Sequence, residues 1–302
     1  VTLFLISFLN LKIGNFAITP YLVDHSGFDA LAFLIECEGK RIFYTGDFRG
    51  HGRKSILYEN LLKRPPENFD FLILEGSMIG REKGKFNTEQ DIETALIAQF
   101  QAYNLFFIAS STQNIDRTVS IYRACRKADR TFVIDPYTAY VLDQLKDISS
   151  NIPQYDWGKN IKIFFAPNNY TQKMADNKSL YKFKPAKLKF DEILEMKKTL
   201  VIKGNYLTRN ILAKKKEITG SKLIYSMWEG YLPDIKPFWD KYNIPIIKIH
   251  TSGHAYIEEL QKFVKAIKPK NIIPNHTFYP ENYDKIFKNK IIRLRDKQTV
   301  NL

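Results

Sequence analysis

The sequence predicts an α/β fold in which an opening run of paired strands gives way to a parallel layer. Three observations carry this. Short β-prone runs fill residues 18–45 and are broken by a turn at Glu38-Gly39-Lys40. A continuous apolar run, Phe71 to Leu74, has the character of a strand buried on both faces. Beyond residue 88, helical and strand patterns alternate in the rhythm of βαβ units.

Taken in order, Ile18 to Val23 is a strand, and Ala30 to Glu36 pairs with Arg41 to Thr45 as a hairpin. Phe71 to Leu74 follows. Asn87 or Thr88 can cap a helix over Glu89 to Ala102, whose first turn carries acidic residues that suit the helix dipole. Leu105 to Ala109 is a strand, and Ser111 or Thr112 can cap a helix reaching Lys127. Thr131 to Ile134 is a strand and Thr138 to Leu145 a helix. The stretch from Pro153 to Lys189 is polar, rich in Lys and Asn, and reads as loop. Leu200 to Lys203, Leu223 to Ser226 and Ile246 to His250 are strands. A helix over Ile257 to Ala266 leads into a last strand, Asn271 to Pro274.

The 302 residues are 44% hydrophobic, enough for a sizeable core and for one or two domains. A net charge of +14 favours a polyanionic partner such as nucleic acid, although a generally Lys-rich surface gives the same number. Two distant cysteines, Cys37 and Cys125, form no CxxC or Cys/His cluster and fit a reducing cytoplasm as ordinary core thiols. No stretch approaches the roughly 20 apolar residues of a membrane helix. The apolar start, Val1 to Asn10, lacks the basic region and cleavage site of a signal peptide.

Five histidines are present, and four follow predicted strands: His25, His250, His254 and His276. Strand ends are where layered α/β folds gather reactive side chains. Asp47, in YTGDF, either reaches a cation or is a turn residue bonding backbone N–H groups. Glu75 ends the Phe71 run, where a carboxylate is exposed, paired or functional, because a lone buried charge is costly. The run His250 to Ala255 sets two imidazoles and Ser252 around a glycine before a helix start, a place for a phosphate or simply a capped turn. No local spacing is metal-specific, so any metal ligands come from distant positions.

In this order the fragments resemble β-CASP proteins of the metallo-β-lactamase superfamily, and among them ribonuclease J-like enzymes. VDHS (Val23 to Ser26) looks like the family's third motif, YTGDF (Tyr44 to Phe48) the fourth, and LILEGS (Leu72 to Ser77) motif A. SGHA (Ser252 to Ala255) looks like motif B and PNHT (Pro274 to Thr277) motif C. SSTQNIDR (Ser110 to Arg117) is similar to the segment opening the β-CASP cap. The resemblance implies a partial metallo-β-lactamase αββα sandwich over residues 1–87 and 245–302, with a β-CASP α/β cap inserted over 88–244. The family's HxHxDH signature is absent, and the resemblance places it upstream of residue 1 in a longer protein, a decayed relative being the other reading.

The chemistry implied by the resemblance is that of a metal-dependent phosphodiester hydrolase, a cytoplasmic nuclease of single-stranded RNA using two divalent ions, zinc being expected, and attack by hydroxide. His25, Asp47 and His276 would be metal ligands, with Asp47 bridging. His254, oriented by Glu75, would donate a proton to the leaving oxygen. His250 and Ser252, with Asn114 and Arg117 from the cap, would bind phosphate, unless Asn114 merely caps a helix and Arg117 is solvated. His51, in the basic loop RGHGRK, has an open role. The competing readings are hydrolysis of a small phosphate ester or thioester, and non-catalytic RNA binding. No membrane partner is expected, and a homo-oligomer is left open.

Overall fold

The computed structural model describes residues 10–102, 104–166, 172–173 and 180–300, so Val1 to Leu9 lie outside the described residues. The fold is mixed α/β and divides into two compact units, residues 1–85 with 252–302, and residues 86–251. Each is built on its own seven-stranded sheet.

The first unit contains β1 (Leu11–Ile13), β2 (Phe16–Leu22), β3 (Leu31–Cys37), β4 (Lys40–Tyr44), α1 (Ser55–Lys63) and β5 (Phe71–Glu75). The later chain adds to this unit a helix over Ile257–Ile267 and the strands β13 (Asn271–Asn275) and β14 (Lys290–Ile291). β1 to β4 form an antiparallel meander, and β4, β5, β13 and β14 continue it in parallel. The β3–β4 turn has only Glu38 (φ +50) and Gly39 (φ +75) between its strands, a left-handed pair whose twist matches that of a hairpin. Phe43, Phe48, Leu72, Leu74, Phe263 and Ile272 are core residues of this unit. The rings of Phe48 and Phe263 lie 4.8 Å apart.

The second unit carries β6 (Phe106–Ala109), β7 (Thr131–Ile134), β8 (Ile161–Phe164), β9 (Lys187–Leu188), β10 (Leu200–Lys203), β11 (Lys222–Tyr225) and β12 (Ile246–Lys248). All pair in parallel, in the order β12-β11-β6-β10-β7-β8-β9. Its helices are α2 (Glu89–Phe100), α3 (Ile115–Lys127), α4 (Pro136–Gln144), α5 (Phe190–Met196), α6 (Tyr206–Lys214) and α7 (Leu232–Lys241). Every residue of β6, β7 and β10 is buried, as expected of strands covered on both faces.

Several sequence expectations shift. α2 has the anticipated capping box, with Thr88 accepting from Asp91 N. α3 is capped by Asn114, not Ser111 or Thr112, because its first helical residue is Ile115. α4 begins two residues earlier than expected, with Asp135 as cap and Pro136 in the first turn, where the missing N–H costs nothing. β8 and a 3-10 turn at Tyr181–Ala186 occupy part of the segment read as loop. Cys125 is fully buried, whereas Cys37 is only half-buried, being the last residue of β3.

Candidate metal centre

Three adjacent parallel strands of the first unit deliver the principal side chains. Asp47 follows β4, Glu75 ends β5 and His276 follows β13, so all three stand at carboxyl ends, where backbone geometry is fixed and the tips are accessible. The turn before Asp47 needs glycine: Gly46 has φ +54, and a Cβ there would meet the Leu31 carbonyl oxygen at 2.8 Å. His254 joins them from the loop before the helix Ile257–Ile267. Asp47, Glu75, His254 and His276 each place one donor atom within 4.8 Å of the others.

His276 Nδ1 is 2.6 Å from Asp47 Oδ1 and 3.2 Å from Ser77 Oγ. Its backbone has φ +47, a left-handed conformation uncommon for residues with a side chain and often associated with sites where geometry is imposed by function. With Nδ1 donating to Asp47, its Nε2 keeps a lone pair. Glu75 is buried, and its oxygens accept backbone N–H groups from Phe48 at 3.2 Å, Ala255 at 3.2 Å and Ser77 at 3.1 Å. This one carboxylate therefore ties the loops carrying Asp47 and His254 to its own turn, whose Ser77 Oγ in turn contacts His276.

His254 Nδ1 is buried without a well-directed hydrogen bond, 3.5 Å from Glu75 Oε2 and 4.0 Å from Asp47 Oδ1. Burial acts to lower its pKa, but the Glu75 and Asp47 carboxylates outweigh this and raise it. The ring of His25 lies 5.0 Å from that of His254, centre to centre. Its pKa is pushed down to about 4 by burial and then by the neighbouring His254. His25 is thus neutral near pH 7, and its Nδ1 donates to Gly253 O at 2.7 Å, leaving Nε2 available.

These donors fit zinc. His25 and His276 each direct Nδ1 to an acceptor and keep Nε2 free, the arrangement metal-bound imidazoles usually adopt. Asp47 supplies a carboxylate, and mixed nitrogen and oxygen donors suit zinc. Glu75 already accepts three N–H groups and is better suited to orienting His254 than to binding an ion. His25 is not one of the four residues grouped within 4.8 Å, although its ring packs against one of them.

The residues expected to bind phosphate are arranged otherwise. Ser252 Oγ accepts from His254 N at 3.0 Å. In the second unit, Asn114 caps α3 by accepting from Arg117 N at 3.0 Å. Arg117 is fully buried and binds Glu89 through Nε at 3.0 Å and Nη2 at 2.8 Å. Its Nη1 donates to Ser226 O at 3.2 Å and to His250 Nδ1 at 3.2 Å, which assigns the imidazole proton to Nε2. Arg117 is therefore an interior cross-link rather than a solvated side chain.

Ser77 and Glu259 were not singled out by sequence, and Arg49 was read only with Arg53 and Lys54 as part of a basic loop around His51 that could meet an RNA backbone. The contacts of Arg49 with Ser252 and of Glu259 with His51 carried no local signal, since they span more than 200 residues. The glycines flanking His51 were the one visible hint of a crowded loop.

Residues 242–283 match the family described as RMMBL, the Zn-dependent metallo-hydrolase RNA specificity domain. The matched segment contains His250, Ser252, His254 and His276. The fold is similar to the crystal structure of a protein of unknown function from Enterococcus faecalis V583, with a TM-score of 0.72 and 22% identity, over 95% of this chain and 64% of that one. The chain thus spans less than two thirds of that protein's length. No helix among the described residues is long and apolar enough to cross a membrane. The matched family is described as Zn-dependent, the Asp47, Glu75, His254 and His276 cluster is a candidate metal site, and the mixed α/β architecture is consistent with a metallo-β-lactamase-like fold.

Proposed function

We propose that the protein is a ribonuclease J-like phosphodiesterase acting on single-stranded RNA, with His25, Asp47 and His276 contributing to a two-zinc centre. The carrying observation is the convergence of Asp47, Glu75, His254 and His276 within 4.8 Å in a chain whose residues 242–283 match an RNA specificity domain. Zinc held there supplies Lewis-acid polarisation of the phosphodiester and makes water acidic near neutral pH.

The chain's own residues do the rest. Glu75, fixed by three backbone N–H groups, holds the His254 ring in place and favours its protonated form. With Nδ1 turned to Glu75, His254 Nε2 is the atom that would carry a proton toward the departing oxygen. Ser77 Oγ, 3.2 Å from His276 Nδ1, fixes the second ring. Between the helix after His254 and residues 286–289, a groove of about 480 Å³ is lined by apolar residues including Val264 and Phe287 and by Lys265, Lys268 and Lys288. It lies apart from the metal cluster and offers cations to an RNA backbone.

The test is cleavage of single-stranded RNA by the full-length zinc-loaded protein. His254→Ala should lower turnover by about 10²–10⁴-fold with the fold intact, the usual contribution of a proton donor. His276→Ala should also reduce bound zinc. Unchanged turnover in either variant removes the assignment, and hydrolysis of a small phosphate ester with RNA left untouched replaces the substrate.

A further inference from the structure

Arg49 and His51 stand on the loop between Asp47 and α1, and both point at a single atom. Arg49 Nη1 donates to Ser252 O at 3.0 Å, and His51 Nε2 lies 2.9 Å from the same oxygen. On its other side, His51 Nδ1 lies 3.0 Å from both Glu259 oxygens, and its ring stacks on Tyr256 with centres 4.4 Å apart. Each ring nitrogen thus faces an acceptor, the Glu259 carboxylate on one side and the Ser252 carbonyl on the other. Arg49 is itself buried, with Nε 3.5 Å from the equally buried Asp24 carboxylate and its backbone N–H on Asp24 O at 2.7 Å.

The three residues after Ser252 give its doubly held carbonyl a purpose. Gly253 O holds His25 Nδ1 at 2.7 Å, His254 is the next residue, and Ala255 N bonds Glu75 at 3.2 Å. The 252–253 peptide held by the clamp immediately precedes the 253–254 peptide, whose carbonyl holds His25 and whose N–H is that of His254, so fixing the first constrains the second. The loop tolerates no slack. A Cβ at Gly50 would lie 2.5 Å from Tyr58 Cδ1 and 2.8 Å from Glu259 Oε1. One at Gly52 would meet both Asp24 carboxylate oxygens at 2.4 Å, and one at Gly253 the Ser26 hydroxyl at 2.4 Å. None of these glycines has a positive φ, so their requirement is space rather than backbone conformation.

We propose that Arg49 and His51 are positioning residues, a two-pronged clamp on Ser252 that sets the rings of His25 and His254. The role in metal binding rests on the proposed function; the clamp itself rests on the hydrogen bonds. Three measurements on the full chain test it. In ¹⁵N-edited spectra, with His51 assigned by His51→Gln, its Nε2 should carry a proton that exchanges slowly with solvent; a bare or freely exchanging Nε2 overturns the clamp. The His25 Nδ1 proton should exchange slowly with solvent, and faster in His51→Leu; equal exchange in a folded variant overturns the positioning. Zinc affinity should fall about 10–100-fold in His51→Leu, as for other groups that orient metal ligands, and less in His51→Gln, which keeps a donor. Undiminished affinity in His51→Leu also overturns it. If His51→Leu does not fold, the wild-type ring spectrum and the Gln variant still decide. A wild-type chain that binds no zinc refutes the proposed function instead, and leaves the ring protonation and exchange results to judge the clamp.

Discussion

Replacing Arg117 with Ala separates a structural guanidinium from an RNA-binding one. The side chain is fully buried, and so is its partner Glu89. The substitution removes a bidentate pair at 3.0 and 2.8 Å, together with donors to Ser226 O and His250 Nδ1, both at 3.2 Å. The Glu89 carboxylate stays buried, with Ser120 Oγ at 2.9 Å among its remaining contacts. Removing one member of a buried pair costs about 3–5 kcal/mol, most of it from the charge left behind. For a unit of this size that corresponds to a fall of roughly 6–20 °C in melting temperature. Thermal and urea unfolding followed by circular dichroism give the number. Pairing Arg117→Met with Glu89→Leu should recover most of the loss, since a packed apolar pair can replace a buried ion pair at little cost. A loss below about 1 kcal/mol, with RNA affinity falling tenfold, would refute the reasoning and return Arg117 to the phosphate-binding role the sequence first suggested.

Lys203 gives a pH prediction. Its pKa is lowered by burial, which the Asp135 carboxylate at 3.8 Å only partly offsets. Between that lowered value and the ordinary lysine value of 10.5, the unfolded chain binds more protons than the folded one, so stability should rise with pH across this window and be lost as pH falls through the folded value. Lys203→Met should flatten the rise in urea unfolding measured from pH 7 upward, and an unchanged slope contradicts it. At the groove, Lys265→Ala, Lys268→Ala and Lys288→Ala together should weaken single-stranded RNA binding and lower the salt-dependence slope by roughly 2, at about 0.7 per phosphate contact. A salt slope equal to that of the wild type excludes the groove from RNA contact.

Strands of the second unit were legible because continuous apolar runs bounded by turns have few alternatives. Thr131–Ile134 and Leu200–Lys203 begin and end where their composition changes. The same punctuation located Asp47, Glu75 and His276, because a strand end is a local property. Helices were harder. α7 carries Pro233 in its first turn and Pro237 within it, so its sequence reads as broken although packing keeps it helical. α6 follows β10 after only Gly204 and the cap Asn205, a two-residue break that the sequence reading passed over. Pairings across hundreds of residues left no mark at all. Nothing near His51 announces Glu259, 208 residues on; Glu89 lies only 28 residues before Arg117, but its pairing appears only once α2 and α3 are packed together.

The sheet order of the second unit has a cost during synthesis. β10 lies between β6 and β7 and hydrogen-bonds to both, yet it is made about ninety residues after β6 ends. Once β7 is also made, about 65 residues remain before β10 begins, so at the roughly 5–20 residues per second of translation the slot stays vacant for on the order of 3–13 s. During that time apolar β6 and largely apolar β7 have open edges facing one another across a missing neighbour, a template for pairing with the wrong chain. A nascent chain stalled before Leu200 should therefore be the most aggregation-prone length of this unit, and the one most in need of a chaperone.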